Sequence, residues 1–456
     1  MRRISLGGRL TRALLIAALA STVACNGITD TLLEATDPDI INPGDVKSIE
    51  GARALATGTI SRLTAVTGGA ESTWLFGGLL ADEWSTSSTF VQNDETDQRR
   101  IQENNSSIRD MLYRLYRTRT SANQAIAGLK DYLPNESSLR AEMYFARGFA
   151  ELQLASDFCN GIPLSDGSGD EIVYGEPQTV AQVFGIAVAA FDSAITLVGS
   201  ATDATSLLVG RAARVGKARA QVGLNQIDAA AATVAGIPTS FAYQSTYSTT
   251  SQTNTIWGQG LSAQRYSIGD SLQGNQRNIV VPNVIPFASL NDPRLPVTKR
   301  NTAGQDGQTF MNTTAVFQQL TNSDVVNGID ARLIEAEKAL RDNNVTQWLA
   351  ILNALRAAPP TIHSVTVAPM PPLTDPGTPA ARVDLFFREK ALWTFSRGQR
   401  LGDMRRLIRQ YGRSANAVFP IGPHYKGGEF GPDVNLPIVT DERNNPKFTG
   451  CIDRNA

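Results

Sequence analysis

Two groups of residues carry the side chains that catalysis would need. Asp82 and Glu83 are adjacent carboxylates, and Glu389, Arg397, Arg400, Asp403, Arg405 and Arg406 crowd one stretch late in the chain. A glycosidase sets two carboxylates at a defined separation across a sugar ring, and neighbours in sequence rarely meet that geometry. Carboxylates interleaved with arginines make a fixed network just as well, because an Arg fork satisfies a carboxylate through two parallel hydrogen bonds. The late group is expected to be structural. Cys159, in "LASDFCNGIPLS", has the chemistry of a nucleophile, but an active thiol needs a base. The only two histidines, His363 and His424, carry no local signature tying them to it. They also lack partners at ligand spacing, so neither a metal site nor a cofactor is expected.

The elements that would position these groups begin after a leader. Residues 1–24 read as an export signal, with Arg2, Arg3, Arg9 and Arg12 ahead of an apolar stretch from Ala13 to Ala20 that is short for a membrane span. "STVAC" then puts Cys25 where a bacterial lipoprotein signal carries its lipidated cysteine. Thr22 stands where leucine is usual, which keeps an ordinary secreted protein as the alternative. The leader takes four arginines and no acidic residue from a chain of 42 basic and 43 acidic ones, leaving a net charge of −5. That balance gives no support to nucleic-acid binding. No other apolar run approaches a membrane span.

Residues 25–45 are polar and turn-rich, an expected tether, and Asp45 is a candidate cap for a helix over 46–66. Ile108, Met111, Leu112, Leu115, Ala122, Ile126 and Leu129 recur at three- and four-residue steps, the mark of an amphipathic helix. Pro134 breaks the chain before a further helix over 137–158, whose Ala141, Ala146, Ala150 and Ala155 admit close neighbours. Helices are also expected over 179–198, 207–222 and 226–235, the last two joined at Gly223, Leu224 and Asn225 in a hairpin like a tetratricopeptide repeat. A second hairpin sets Ile329, Leu333, Ala336 and Leu340 against Val345, Trp348, Leu349, Leu352 and Leu355, with Glu337 and Arg341 paired on the solvent side. Trp74, Trp348 and Trp393 are expected in the core. Between the series, about 241–323 is rich in Ser, Thr, Gln, Asn and Gly with scattered aromatics. A long loop on a rigid scaffold is where binding residues tend to sit. Pro359 to Pro379 is proline-rich, and 414–456 is irregular.

Several segments together resemble the SusD/RagB family of outer-membrane nutrient-uptake lipoproteins: "CNGITDTLLEATDPDIINPGDV", "RAEMYFARGFAELQLASDFCNGIPLS", "NDPRLP", "ARLIEAEKAL" with "ILNALRAA", and "FFREKALWTFSRGQRLGDMRRL". They follow the family's order across nearly the whole chain after the leader. The resemblance implies one mainly α domain over 46–456, with four tetratricopeptide-type helix pairs as scaffold and a loop-rich ligand-binding part. It further implies a surface lipoprotein of the outer membrane, held by its N-terminal lipid, that partners a SusC-like TonB-dependent transporter. Such a protein captures an oligosaccharide or other nutrient and does no chemistry on it.

Sugar recognition asks for aromatic faces beside amides and charged groups. One stretch offers Trp84, Phe90 and Asn93 beside Asp82 and Gln92; another offers Trp257, Arg265 and Tyr266. Against this stands the reading that Trp84 and Phe90 only pin their loop to the scaffold. With Cys25 lipidated, Cys159 and Cys451 remain, and an exported compartment permits a disulfide between them; two free buried thiols are the alternative. Two rival functions stay open, a repeat-type envelope scaffold and a helical-barrel glycoside hydrolase.

Overall fold

In the computed structural model, which describes residues 47–456 apart from 170 and 364, the periodic segments are helices. The leader, Cys25, the tether and Asp45 lie outside the described residues. Helix α1 (Ile49–Gly68) starts three residues later than expected, because the Ser48 side chain accepts the Gly51 N–H and caps it. Then come α2 (Ser106–Tyr132), α3 (Ser137–Asp157), α4 (Val180–Val198), α5 (Ala204–Gly223) and α6 (Ile227–Val234). Late in the chain follow α7 (Gly328–Arg341), α8 (Val345–Ala357), α9 (Pro379–Trp393) and α10 (Arg400–Tyr411). Their starts are set by side-chain caps: Asn105 for α2, a Thr179/Gln182 capping box for α4, Asp203 for α5 and an Asn327/Asp330 box for α7.

The helices pack as four successive pairs, α1 with α2, α3 with α4, α5 with α6 and α7 with α8, and each pair leans on the next. An isolated pair leaves an apolar stripe in water, so stacking is what stabilises each one. Helix α4 shows how closely they approach. A Cβ on Gly216 of α5 would lie 2.5 Å from the Phe191 ring, and one on Gly148 of α3 would lie 3.0 Å from it. By length and composition α4 is apolar enough to cross a membrane, contrary to the expectation of no such run. Its Val183, Phe184, Ala187, Phe191 and Ala194 are instead buried in the stack between α3 and α5. Trp74, Trp348 and Trp393 are buried as expected.

The late charged group forms an interior network. Arg294, from the Asn291–Pro296 motif, grips Asp292 and Glu389, and Arg356 reaches the same Glu389. Arg397 holds Asp330 through bonds of 3.0 and 2.8 Å, and Arg405 donates to the Ser156 carbonyl. Glu337 corrects the sequence reading: it is buried rather than on the solvent side, and it accepts from Arg406 and from the Tyr411 hydroxyl. Arg341 is 3.9 Å away and turns to Tyr411, Gln410 and Asn225. Burial alone would raise the Glu337 carboxyl, but Arg406 and Lys390 outweigh it and hold the group down to about 2.

The loop-rich part is ordered by short antiparallel ribbons. Strand β1 (Trp84–Thr86) pairs with β3 (Tyr266–Ile268), β2 (Ala242–Ser245) with β6 (Ser323–Asn327), and β4 (Val297–Ala303) with β5 (Phe310–Thr314). The segment 414–456 holds one short helix, Ala415–Val418, and a 3-10 turn, Thr440–Asn444. It runs back to the end of α3, where Cys159 N–H donates to Leu436, Leu436 N–H to Asp157 and Ile452 N–H to Asn160. Cys159 and Cys451 are joined there as a disulfide, with Sγ–Sγ 2.01 Å.

Candidate functional site

The β1–β3 ribbon carries two distant stretches into one place. Trp84 pairs with Ile268 and Thr86 with Tyr266, and Ser87 N–H then donates to the Arg265 carbonyl at 2.9 Å. Beyond it the chain turns at Ser88, whose hydroxyl accepts the Phe90 N–H, and enters the short helix Val91–Asp97. These constraints put the Arg265 guanidinium 4.5 Å from the centre of the Phe90 ring, a cation–π contact. Around that pair opens a cleft of about 270 Å³, walled by Phe90, Asn93, Arg265 and Tyr266 together with Glu71, Asp110 at the start of α2, and Gln259.

Four of the six residues expected to bind ligand therefore share one cleft. Phe90 is 44% exposed, the polar Asn93 is buried in the wall, and burial holds the Tyr266 hydroxyl above the ordinary phenol range. Two polar atoms in the wall have no hydrogen-bond partner among the described residues: Arg265 Nε, a donor, and Gln259 Oε1, an acceptor. Leaving such groups unpaired in the dry state costs about 1–3 kcal/mol each. A ligand carrying neighbouring hydroxyls offers both the acceptor and the donor that they need.

The two tryptophans are placed differently. Trp84 is 2% exposed; its indole N–H donates to Ser396 Oγ at 2.9 Å, and its ring meets Phe395 and Tyr266. Gly78 lies tight against that ring and Gly260 lies over it, so a Cβ at either would come within 2.8 or 3.3 Å. Trp84 therefore pins its loop from below and presents no face to the cleft. Trp257 is half-buried against the core at the start of a π-helical turn, Gly258–Ser262, and lies outside the cleft wall. Gln259, two residues on, supplies the polar contact instead. Glu71 and Asp110 had no local signal in the sequence, since they enter the cleft only through the packing of α1 and α2.

The other candidates for chemistry are closed off. Asp82 and Glu83 are buried behind β1, where Asp82 accepts from Gln273 and Glu83 from the Ser396 N–H at 2.9 Å. Burial pushes Glu83 up to about 8 and Asp82 well above the carboxylate range. His363 is half-buried against Phe317, and His424 lies 3.5 Å from Asp97. Among the described residues no three His, Cys, Asp or Glu side chains gather as metal ligands.

No protein-family model matches the sequence, and no curated protein does. Solved structures do. A SusD superfamily protein from Bacteroides fragilis superposes with a TM-score of 0.64 at 15% identity, over 88% of this chain and 99% of its own. A SusD-like carbohydrate binding protein from Bacteroides fragilis NCTC 9343 gives 0.63 at 15% identity, over 88% and 99%. A laminarin binding SusD-like protein gives 0.57 at 16% identity, over 89% and 99%. At these identities the likeness is one of fold, and it extends over the helical pairs and the loop-rich part together: this chain has the SusD-like fold.

Proposed function

We propose that the protein binds a glycan in the Phe90–Arg265 cleft and, tethered to the outer membrane by a lipid on Cys25, delivers it to a SusC-like TonB-dependent transporter. The observation that carries the binding half is the pairing of an exposed aromatic ring with an unpaired buried donor, Arg265 Nε, and acceptor, Gln259 Oε1. A pyranose supplies an apolar face for the ring and vicinal hydroxyls for the two polar atoms. That laminarin and carbohydrate binders share the fold supports the same reading. Delivery to a transporter and the lipid anchor rest on the sequence resemblance.

Calorimetric titration with laminarin and a panel of neutral oligosaccharides tests this. At least one should bind, and Phe90→Ala and Arg265→Ala should each raise its Kd about tenfold, the worth of one stacking or charged hydrogen-bond contact. Wild-type affinity in both variants, or no binding by any member of the panel, would refute the reading.

A further inference from the structure

Arg400, the first residue of α10, is 7% exposed, yet its guanidinium makes no hydrogen bond or ion pair with any described residue. The acidic groups whose fields reach it are Glu83, Asp403 and Asp82, and each is engaged elsewhere. Asp403 sits between Lys390 at 2.7 Å and Arg406 at 3.0 Å, Glu83 takes the Ser396 N–H, and Asp82 takes the Gln273 amide. Burial raises the Glu83 carboxyl to about 8 and pushes Asp82 up as well, which weakens the countercharge they offer. An unpaired buried cation is among the most costly features a fold can carry.

Arg400 faces a cleft of about 250 Å³ on the side of α9 and α10, sharing no residue with the Phe90 cleft. Exposed Arg388 and the Asp384-bound Arg413 join it there, with Asn283 and the buried Phe387. Three guanidinium groups against one carboxylate call for an anion, and the volume calls for a molecule rather than a bare ion. A guanidinium fork matches a carboxylate through two parallel bonds. The exposed Asp384 carboxylate suits hydroxyls, while the buried Phe387 only lines the wall.

We propose that this cleft is a second ligand site that takes a sugar acid of monosaccharide size, its carboxylate on Arg400 and Arg388. The test is calorimetric titration of the purified protein with glucuronate, glucose and sodium sulfate. Glucuronate should bind and glucose should not. Arg388→Gln should raise the glucuronate Kd about tenfold, as loss of one charged hydrogen bond would, and Arg400→Gln should abolish binding. Arg388 is exposed and unpaired among the described residues, so its variant keeps the fold and carries the test even where Arg400→Gln does not fold. Phe90→Ala should leave glucuronate binding unchanged. The assignment is overturned by the absence of glucuronate binding at millimolar concentration, by equal binding of glucose, or by sulfate binding as tightly. It is overturned equally if Phe90→Ala removes glucuronate binding while Arg388→Gln does not.

Discussion

Phe90 and Trp84 lie six residues apart in one loop and have opposite environments. The Trp84 ring is enclosed by Phe395, Tyr266 and two glycines, whereas Phe90 stands in the cleft mouth against Arg265. Trp84→Ala should therefore act through stability, costing about 3–5 kcal/mol by the cavity it leaves. Chemical denaturation should register that loss, while the folded variant keeps more glycan affinity than Phe90→Ala does. The buried carboxyls add a pH signature. Glu83 is raised by burial to about 8 and Asp157 likewise. A group whose pKa is higher folded than unfolded contributes stability that is complete below its unfolded value and disappears as pH rises through the folded one. The melting temperature should thus fall between about pH 5 and 8, and Glu83→Gln should flatten that fall. An equally steep decline in the variant would mean that Glu83 does not titrate in this window.

Among the elements, the C-terminal segment depends most on a single bond. It has little regular structure and is stitched to the end of α3 by three backbone hydrogen bonds and the Cys159–Cys451 disulfide. Closing a loop of 292 residues removes unfolded-state entropy worth roughly 5 to 6 kcal/mol as an upper bound. Replacing both cysteines by alanine should cost about 2–5 kcal/mol and expose the tail to proteolysis before the helices unfold. Thiol titration of the non-reduced protein, unfolded and without its leader, should find no free thiol beyond Cys25; reactive Cys159 or Cys451 would contradict the staple.

At the scale of the whole molecule, the helical stack forms the base and the β1–β3 ribbon presents the cleft on one part of it. If the protein works with a transporter, detergent extracts of its native membrane should yield a TonB-dependent outer-membrane protein when this chain is purified, in comparable amount. Repeated purification of the chain alone from the same extracts would count against the partnership.

The long helices were legible from sequence because helical periodicity is local; the caps that fix their starts, Asn105, Asp203 and Asn327 among them, were not read from it, nor were the short helices Thr73–Leu80 and Val91–Asp97. The late arginine and carboxylate group was legible as a network for the same reason, the chemistry being written in residue types. Which partner each charge takes was not, and Glu337 went to Arg406 of α10 rather than to its own helix neighbour. Sequence also singled out the two stretches that form the cleft, since aromatics in polar loops seldom lack a function or a packing partner. Only the tertiary structure decided between those two fates. Exposure depends on what lies across the ring, and for Trp84 that is Phe395 and Ser396, while for Phe90 it is Arg265 and open space. Those neighbours arrive through strand pairing between residues far apart in the chain, and no local pattern encodes them.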